Sequence, residues 1–113
     1  MMAAHRPERH VEIAENGRVV RDAEVRPLPD HSVVRAELHV ESGHLPVGTG
    51  AALVDAVLDL PESKEVPKLE ATLPIGDTES LERLRERCET VETRPAGATC
   101  LVDATLPADP IVR

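Results

Sequence analysis

The sequence of 113 residues contains no Phe, Tyr or Trp. Any core must therefore be built from Val, Leu, Ile and Ala, whose side chains each bury less area than a ring. The same absence removes the aromatic platforms on which unpaired bases stack. Positive charge is also scarce: 13 Lys and Arg stand against 21 Asp and Glu, a net charge of −8. Phosphate backbones are held by clustered cations that release counterions, so no nucleic-acid partner is expected. No apolar run approaches the roughly 20 residues of a membrane span, so no membrane is expected. The opening Met1-Met2-Ala3-Ala4-His5-Arg6-Pro7 lacks the apolar segment of a signal peptide, and the expected location is cytoplasmic. Only two cysteines occur, Cys88 and Cys100, and in a reducing compartment they read as packed free thiols rather than a bridge.

What is present is the length and patterning of one domain. Residues 1–9 are polar and aperiodic and read as a disordered tail, residues 10–106 as the domain, and residues 107–113 as a second tail. Asn16-Gly17 lies between two β-type runs, Val11–Glu15 and Arg18–Val25, and predicts a hairpin, since both turn positions need positive φ. In residues 33–41, Val34, Ala36, Leu38 and Val40 alternate with Arg35, Glu37, His39 and Glu41, the pattern of a half-buried strand.

The loop Ser42–Gly48 follows, and then Thr49–Leu60 carries Leu53, Val57 and Leu60 beside Val54 and Leu58, the stripes of a mostly covered helix ended by Pro61. Asp55 and Asp59 fall on its wet side, and residues 61–68 read as a polar loop. Lys68–Leu73 predicts a strand closed by Pro74. Asp77 caps a helix over 78–89 that packs Leu81, Leu84 and Cys88, with Glu79 set against its own helix dipole and paired with Arg83. Val91–Arg94 and Ala98–Ala104 close the chain as two strands around a turn at Pro95-Ala96-Gly97.

The order β-β-β-α-β-α-β-β predicts an α+β fold, a mixed and mostly antiparallel sheet with two helices packed on it. The third and fourth strands should be parallel and joined by a right-handed crossover.

This order, with Leu38-His39-Val40 leading to Val47-Gly48-Thr49-Gly50-Ala51-Ala52-Leu53-Val54, resembles the later part of the GCN5-related N-acetyltransferase (GNAT) fold. There a splayed strand runs into a Q/R-x-x-G-x-G/A loop whose amides hold the pyrophosphate of acetyl-CoA. The resemblance implies acetyl-CoA or another acyl-CoA as cofactor, bound by Val40, Val47, Gly48, Thr49, Gly50 and Ala51. It further implies acyl transfer to an amine. The physical basis stands apart from the name, because the first amides of a helix have no internal partner and the dipole adds positive potential there.

Leu45 stands where the family has Gln or Arg, and the family's front strand and helices have no counterpart in the few residues before the hairpin. The tyrosine acid of the later helix is missing, leaving Cys88 near that position. Glu37 and Glu41 are the candidate general bases. His39, Glu41 and His44 share a region, but their spacing is not that of a metal centre, and no metal is expected. The other reading is a non-catalytic module on the same scaffold that binds a small molecule, or a homodimer that completes its core through a sheet edge or helix face.

Overall fold

The structure, a computed structural model, describes residues 8–29, 32–41 and 45–107. The outer parts of both expected tails, and His44 with Ser42 and Gly43, lie outside the described residues.

The first two strands, β1 (Arg9–Glu15) and β2 (Arg18–Pro27), form the hairpin, with φ of 54° at Asn16 and 78° at Gly17 as the tight turn requires. β2 pairs antiparallel with β3 (Val33–Val40). The chain then enters α1 (Thr49–Leu58) and crosses to β4 (Lys68–Pro74), which is parallel to β3. Next come α3 (Thr78–Arg87) and the antiparallel pair β5 (Thr90–Ala96) and β6 (Thr99–Thr105). The sheet has six strands in the order β1-β2-β3-β4-β6-β5.

Two details correct the expectations. The 61–68 segment is not all loop: Pro61–Lys64 makes a short helix, α2, with Pro61 at its first position. Proline suits that place because the missing N–H has no partner in a first turn anyway. The closing turn also lies one residue later than expected, at Gly97-Ala98, which leaves Pro95 in the edge strand β5, where no ladder donor is needed.

The helices cover one face of the sheet. On it Ala23, Val25, Val34, Ala36, Leu38, Leu69, Ala71, Leu73, Val102 and Ala104 are buried, and Leu53, Val54, Val57 and Leu58 of α1 pack down on them with Leu84 and Cys88 from α3. The two helices are bound together by charge as well. Asp55, a third exposed, faces α3: it accepts from Arg83 Nε at 2.8 Å and Arg87 Nη1 at 3.0 Å, and the Arg83 hydrogen bond leads in holding its carboxyl below the usual aspartate range.

The opposite face is mostly charged and polar. Its cross-strand rows run Arg26, Arg35, Glu70, Asp103, Glu92 and His10, Glu24, Glu37, Thr72, Leu101, Arg94. Arg35 Nη2 meets Glu70 Oε1 at 2.8 Å across β3 and β4. Among the described residues, the large apolar side chains left in solvent are Val47 and Ile75.

A core without rings depends on its few fully enclosed leucines. Leu53 is 0% exposed, and Leu53→Ala should destabilise the protein by about 3 kcal/mol in urea unfolding. A loss below about 1 kcal/mol would contradict the packing described.

Candidate functional site

The ladder between β3 and β4 stops at Glu37↔Thr72, while that between β3 and β2 continues to Val40↔Arg21. Beyond Glu37, β3 and β4 thus diverge, and the edge of Leu38–Val40 loses its neighbour. A cleft of about 340 Å³ opens at this end, walled by Val40, Leu45, Pro46 and Val47 on one side and by Pro74–Glu79 on the other, with Arg21 among its lining residues. Val47 and Ile75, the two exposed large hydrophobics, both lie on its rim.

The head of α1 adjoins this cleft through Glu79, one of its lining residues. Gly48 caps it at φ 95°, a left-handed conformation that costs a glycine nothing. The Thr49 hydroxyl donates to Pro46 O at 2.9 Å and fixes the loop against the helix. The first bond inside the helix runs from Ala52 N–H to Gly48 O, so the amides before it need other partners.

They find one in Glu79, from the first turn of α3. Gly48 N–H donates to Oε2 at 2.7 Å, Gly50 N–H donates to Oε1, and Ala51 N–H adds to the same charge. The Gly48 amide leads in holding this carboxyl below the ordinary glutamate range; the Gly50 amide and Arg21 act the same way against the opposing effect of burial. A Cβ at position 50 would lie 2.6 Å from Glu79 Oε1 and 3.1 Å from Ser80 Oγ, so glycine lets the Glu79 carboxylate sit this close without shifting.

Beneath the carboxylate lies Arg21, 5% exposed. Its Nε donates to Thr49 Oγ1 at 2.9 Å and its Nη1 to Asp77 Oδ2 at 3.0 Å, and its Nη2 is 3.9 Å from Glu79 Oε1. Asp77 also caps α3 as expected, accepting from Ser80 N–H at 3.3 Å. Arg21 thus joins β2 to the heads of both helices. A buried guanidinium is tolerable only when so surrounded, and removing one partner leaves an uncompensated charge.

Of the residues the sequence singled out, Val40 and Val47 line this cleft, while Gly48 and Gly50 lie outside its lining and connect to it through their bonds to Glu79. Thr49 faces inward to Arg21, so its part is to brace the loop. Glu37 and Glu41 are exposed: Glu37 is the last residue of β3 paired with β4, and Glu41 follows the strand, its N–H donating to Val20 O. Cys88 is elsewhere. It is buried at the far end of α3, nine residues and about 14 Å along the helix from Glu79. Burial pushes its thiol above the ordinary value. His39 gathers with Glu37 and Glu24, their ligand atoms within 4.8 Å of one another and all three residues exposed. Exposed acids on a sheet face commonly sit this close without an ion.

Arg21 and Glu79 were not singled out as site residues. Arg21 sits in a strand next to a β-bulge at Ile13/Ala14, and Glu79 satisfies every local rule for its own helix.

No protein-family model matches this sequence, and no curated protein matches it. Solved structures do. The chain is similar to ribosomal-protein-alanine N-acetyltransferase from Brucella melitensis at 18% identity and TM-score 0.57, over 85% of this chain and 67% of that one. An acetyltransferase of the GNAT family from Streptococcus pneumoniae matches at 10% identity and TM-score 0.61, over 88% and 67%. A GNAT superfamily phosphinothricin acetyltransferase from Sinorhizobium meliloti, solved in complex with acetyl-CoA, matches at 15% identity and TM-score 0.59, over 88% and 61%. The protein has a GNAT-like fold, and it spans about two thirds of the length of these structures.

The carboxyl of Glu79 has a folded pKa below its unfolded one, so its contribution to stability is complete above the unfolded value and is lost as pH falls through the folded value. Glu79→Gln should accordingly be less stable than the parent at neutral pH, and the gap should close as the pH drops below the ordinary glutamate range. A gap in urea midpoint that does not change with pH would mean the carboxylate is not held by these amides.

Proposed function

We propose that this domain binds an acyl-CoA in the cleft between β3 and β4 and transfers the acyl group to an amine. One observation carries the reading. At the mouth of two diverging strands, the free amides of a helix head converge on an anionic group, here the chain's own carboxylate, backed by a buried guanidinium. The site therefore has the donor set, charge and spacing that a phosphate oxygen needs. The similarity to a structure solved with acetyl-CoA supports the same ligand class.

In this reading Gly48, Gly50 and Ala51 hold the pyrophosphate, and Thr49 and Arg21 keep the loop in the conformation that presents their amides. The rim of Val40, Val47 and Ile75 receives the apolar part of the ligand, and the open edge of Leu38–Val40 offers backbone partners to its amide groups. The thioester would supply an activated acyl group. In the same reading Glu37 and Glu41, exposed on and just beyond β3 but outside the lining of the cleft, are the carboxylates that would take a proton from the acceptor amine.

Cys88 has no part in this geometry, and no tyrosine exists in the chain to serve as an acid. That observation favours a second reading, in which the domain holds the ligand without turning it over. Titration calorimetry with acetyl-CoA and with CoA should show saturable binding below millimolar concentration, and no heat at millimolar ligand would overturn both readings. With binding established, release of free CoA thiol in the presence of a panel of primary amines separates them: thiol release marks a transferase, and its absence a binding module.

A further inference from the structure

The sheet has two outer strands, β1 and β5. β5 carries Pro95, whose ring and missing N–H interrupt its edge, a common guard against further pairing. β1 has neither proline nor lysine, and its seven residues offer about 24 Å of edge. The bulge in the hairpin places its extra residue, Val20, on β2, so the alternation along β1 is unbroken.

That alternation sets which backbone groups face outward. Glu15 and Arg18 flank the two-residue turn and bond each other across it. Glu15, Ile13, Val11 and Arg9 therefore direct their backbone groups to β2, while Ala14, Glu12, His10 and Glu8 direct theirs away from the sheet. We propose that this outer edge pairs antiparallel with β1 of a second copy of the chain, about a twofold axis at Val11. The two sheets then become one. The pairing does not depend on the function proposed above, since the cleft lies at the end of β3 and β4.

Charge selects the register. A strand that pairs with itself must bring outward-facing residues opposite one another. With the axis at Val11, His10 stands opposite the partner's Glu12 on both sides of the axis, and Val11 meets the partner's Val11. An axis at Glu12 would set Glu12 against itself, and an axis at His10 would set Glu8 against Glu12. Like charges directly opposite are destabilising. An axis at Ile13 would set Val11 against Glu15.

The side chains fit this placement. Val11 and Ile13 are only partly buried against the core, because β1 is the outermost strand, and the partner's Val11 and Ile13 would cover their free flank. On the open face the His10 ring lies 3.1 Å from Glu12 of its own strand. In the dimer the two rings and the two Glu12 carboxylates form a square of alternating type. A single pair of strands gives an interface below about 1,200 Å², the low end for specific association, so the dimer should dissociate in the micromolar range.

Sedimentation equilibrium across that range should show the parent passing from monomer to dimer. Glu12→Pro removes an outward N–H that β2 does not use, and it should weaken association by about tenfold or more while the far-ultraviolet circular dichroism is unchanged. His10→Glu should weaken it by about tenfold, since it creates the like-charge pair twice, and adding Glu12→Lys should restore it. Under mild oxidation Val11→Cys should form a disulfide-linked dimer, because position 11 faces itself across a closely spaced pair. Ile13→Cys, which faces position 9, should link no more than the parent with its native Cys88 and Cys100. Should Glu12→Pro fail to fold, the charge and cysteine variants give the answer. A parent that stays monomeric at the highest concentration would overturn the proposal. So would a dimer indifferent to His10→Glu, or one that links through Ile13→Cys and not through Val11→Cys.

Discussion

A helix that starts at the end of a diverging sheet presents amides that nothing in its own backbone can satisfy, and the surroundings of α1 are organised around that requirement. Two helix heads, those of α1 and α3, meet over one buried guanidinium, so three sources of positive potential share a small volume. Asp77 answers Arg21 and caps α3, and Glu79 answers α1. The cost of burying Arg21 is met only while this set of partners is complete. Everything else at this end follows: the left-handed Gly48, the missing Cβ at position 50, and the loop braced by Thr49.

The sheet sets the frame for that arrangement. Its covered face is aliphatic apart from Arg21, and its open face carries cross-strand rows of charged and polar residues with Arg35 paired to Glu70. The parallel contact between β3 and β4 ends at Glu37↔Thr72, and the divergence beyond it is where the exposed large apolar side chains among the described residues, Val47 and Ile75, stand. Apolar rim and open backbone edge therefore coincide at one cleft, with the head of α1 joined to it through Glu79. This coincidence gives the acyl-CoA reading more weight than the fold alone, since one fold serves many unrelated functions.

The fold was legible wherever a local rule decided it. Asn16-Gly17 admits little but a hairpin, the alternation from Val34 to Val40 marks a strand with one buried face, and Asp77 announces the start of α3. Pro61 misled because proline ends one helix and begins another equally well, and only the packing of α2 distinguishes the two. Half of the candidate site was legible too, in Gly48 and Gly50 at a helix head. Its occupant was not. Glu79 has a good local explanation in its own helix dipole and in an i,i+4 pair with Arg83, yet Arg83 turns to Asp55 and Glu79 turns to α1. Arg21 shows the same limit: a charged residue in a strand reads as a solvent-facing one until the elements that bury it are placed.

The account rests on the cleft at the end of β3 and β4 being where an acyl-CoA binds. Its most direct test is a crystal structure of the protein with acetyl-CoA. The ligand is expected in the cleft walled by Val40, Val47 and Pro74–Glu79, with Arg21 still bonded to Thr49 and Asp77. A complex in which the ligand sits away from this cleft would contradict it.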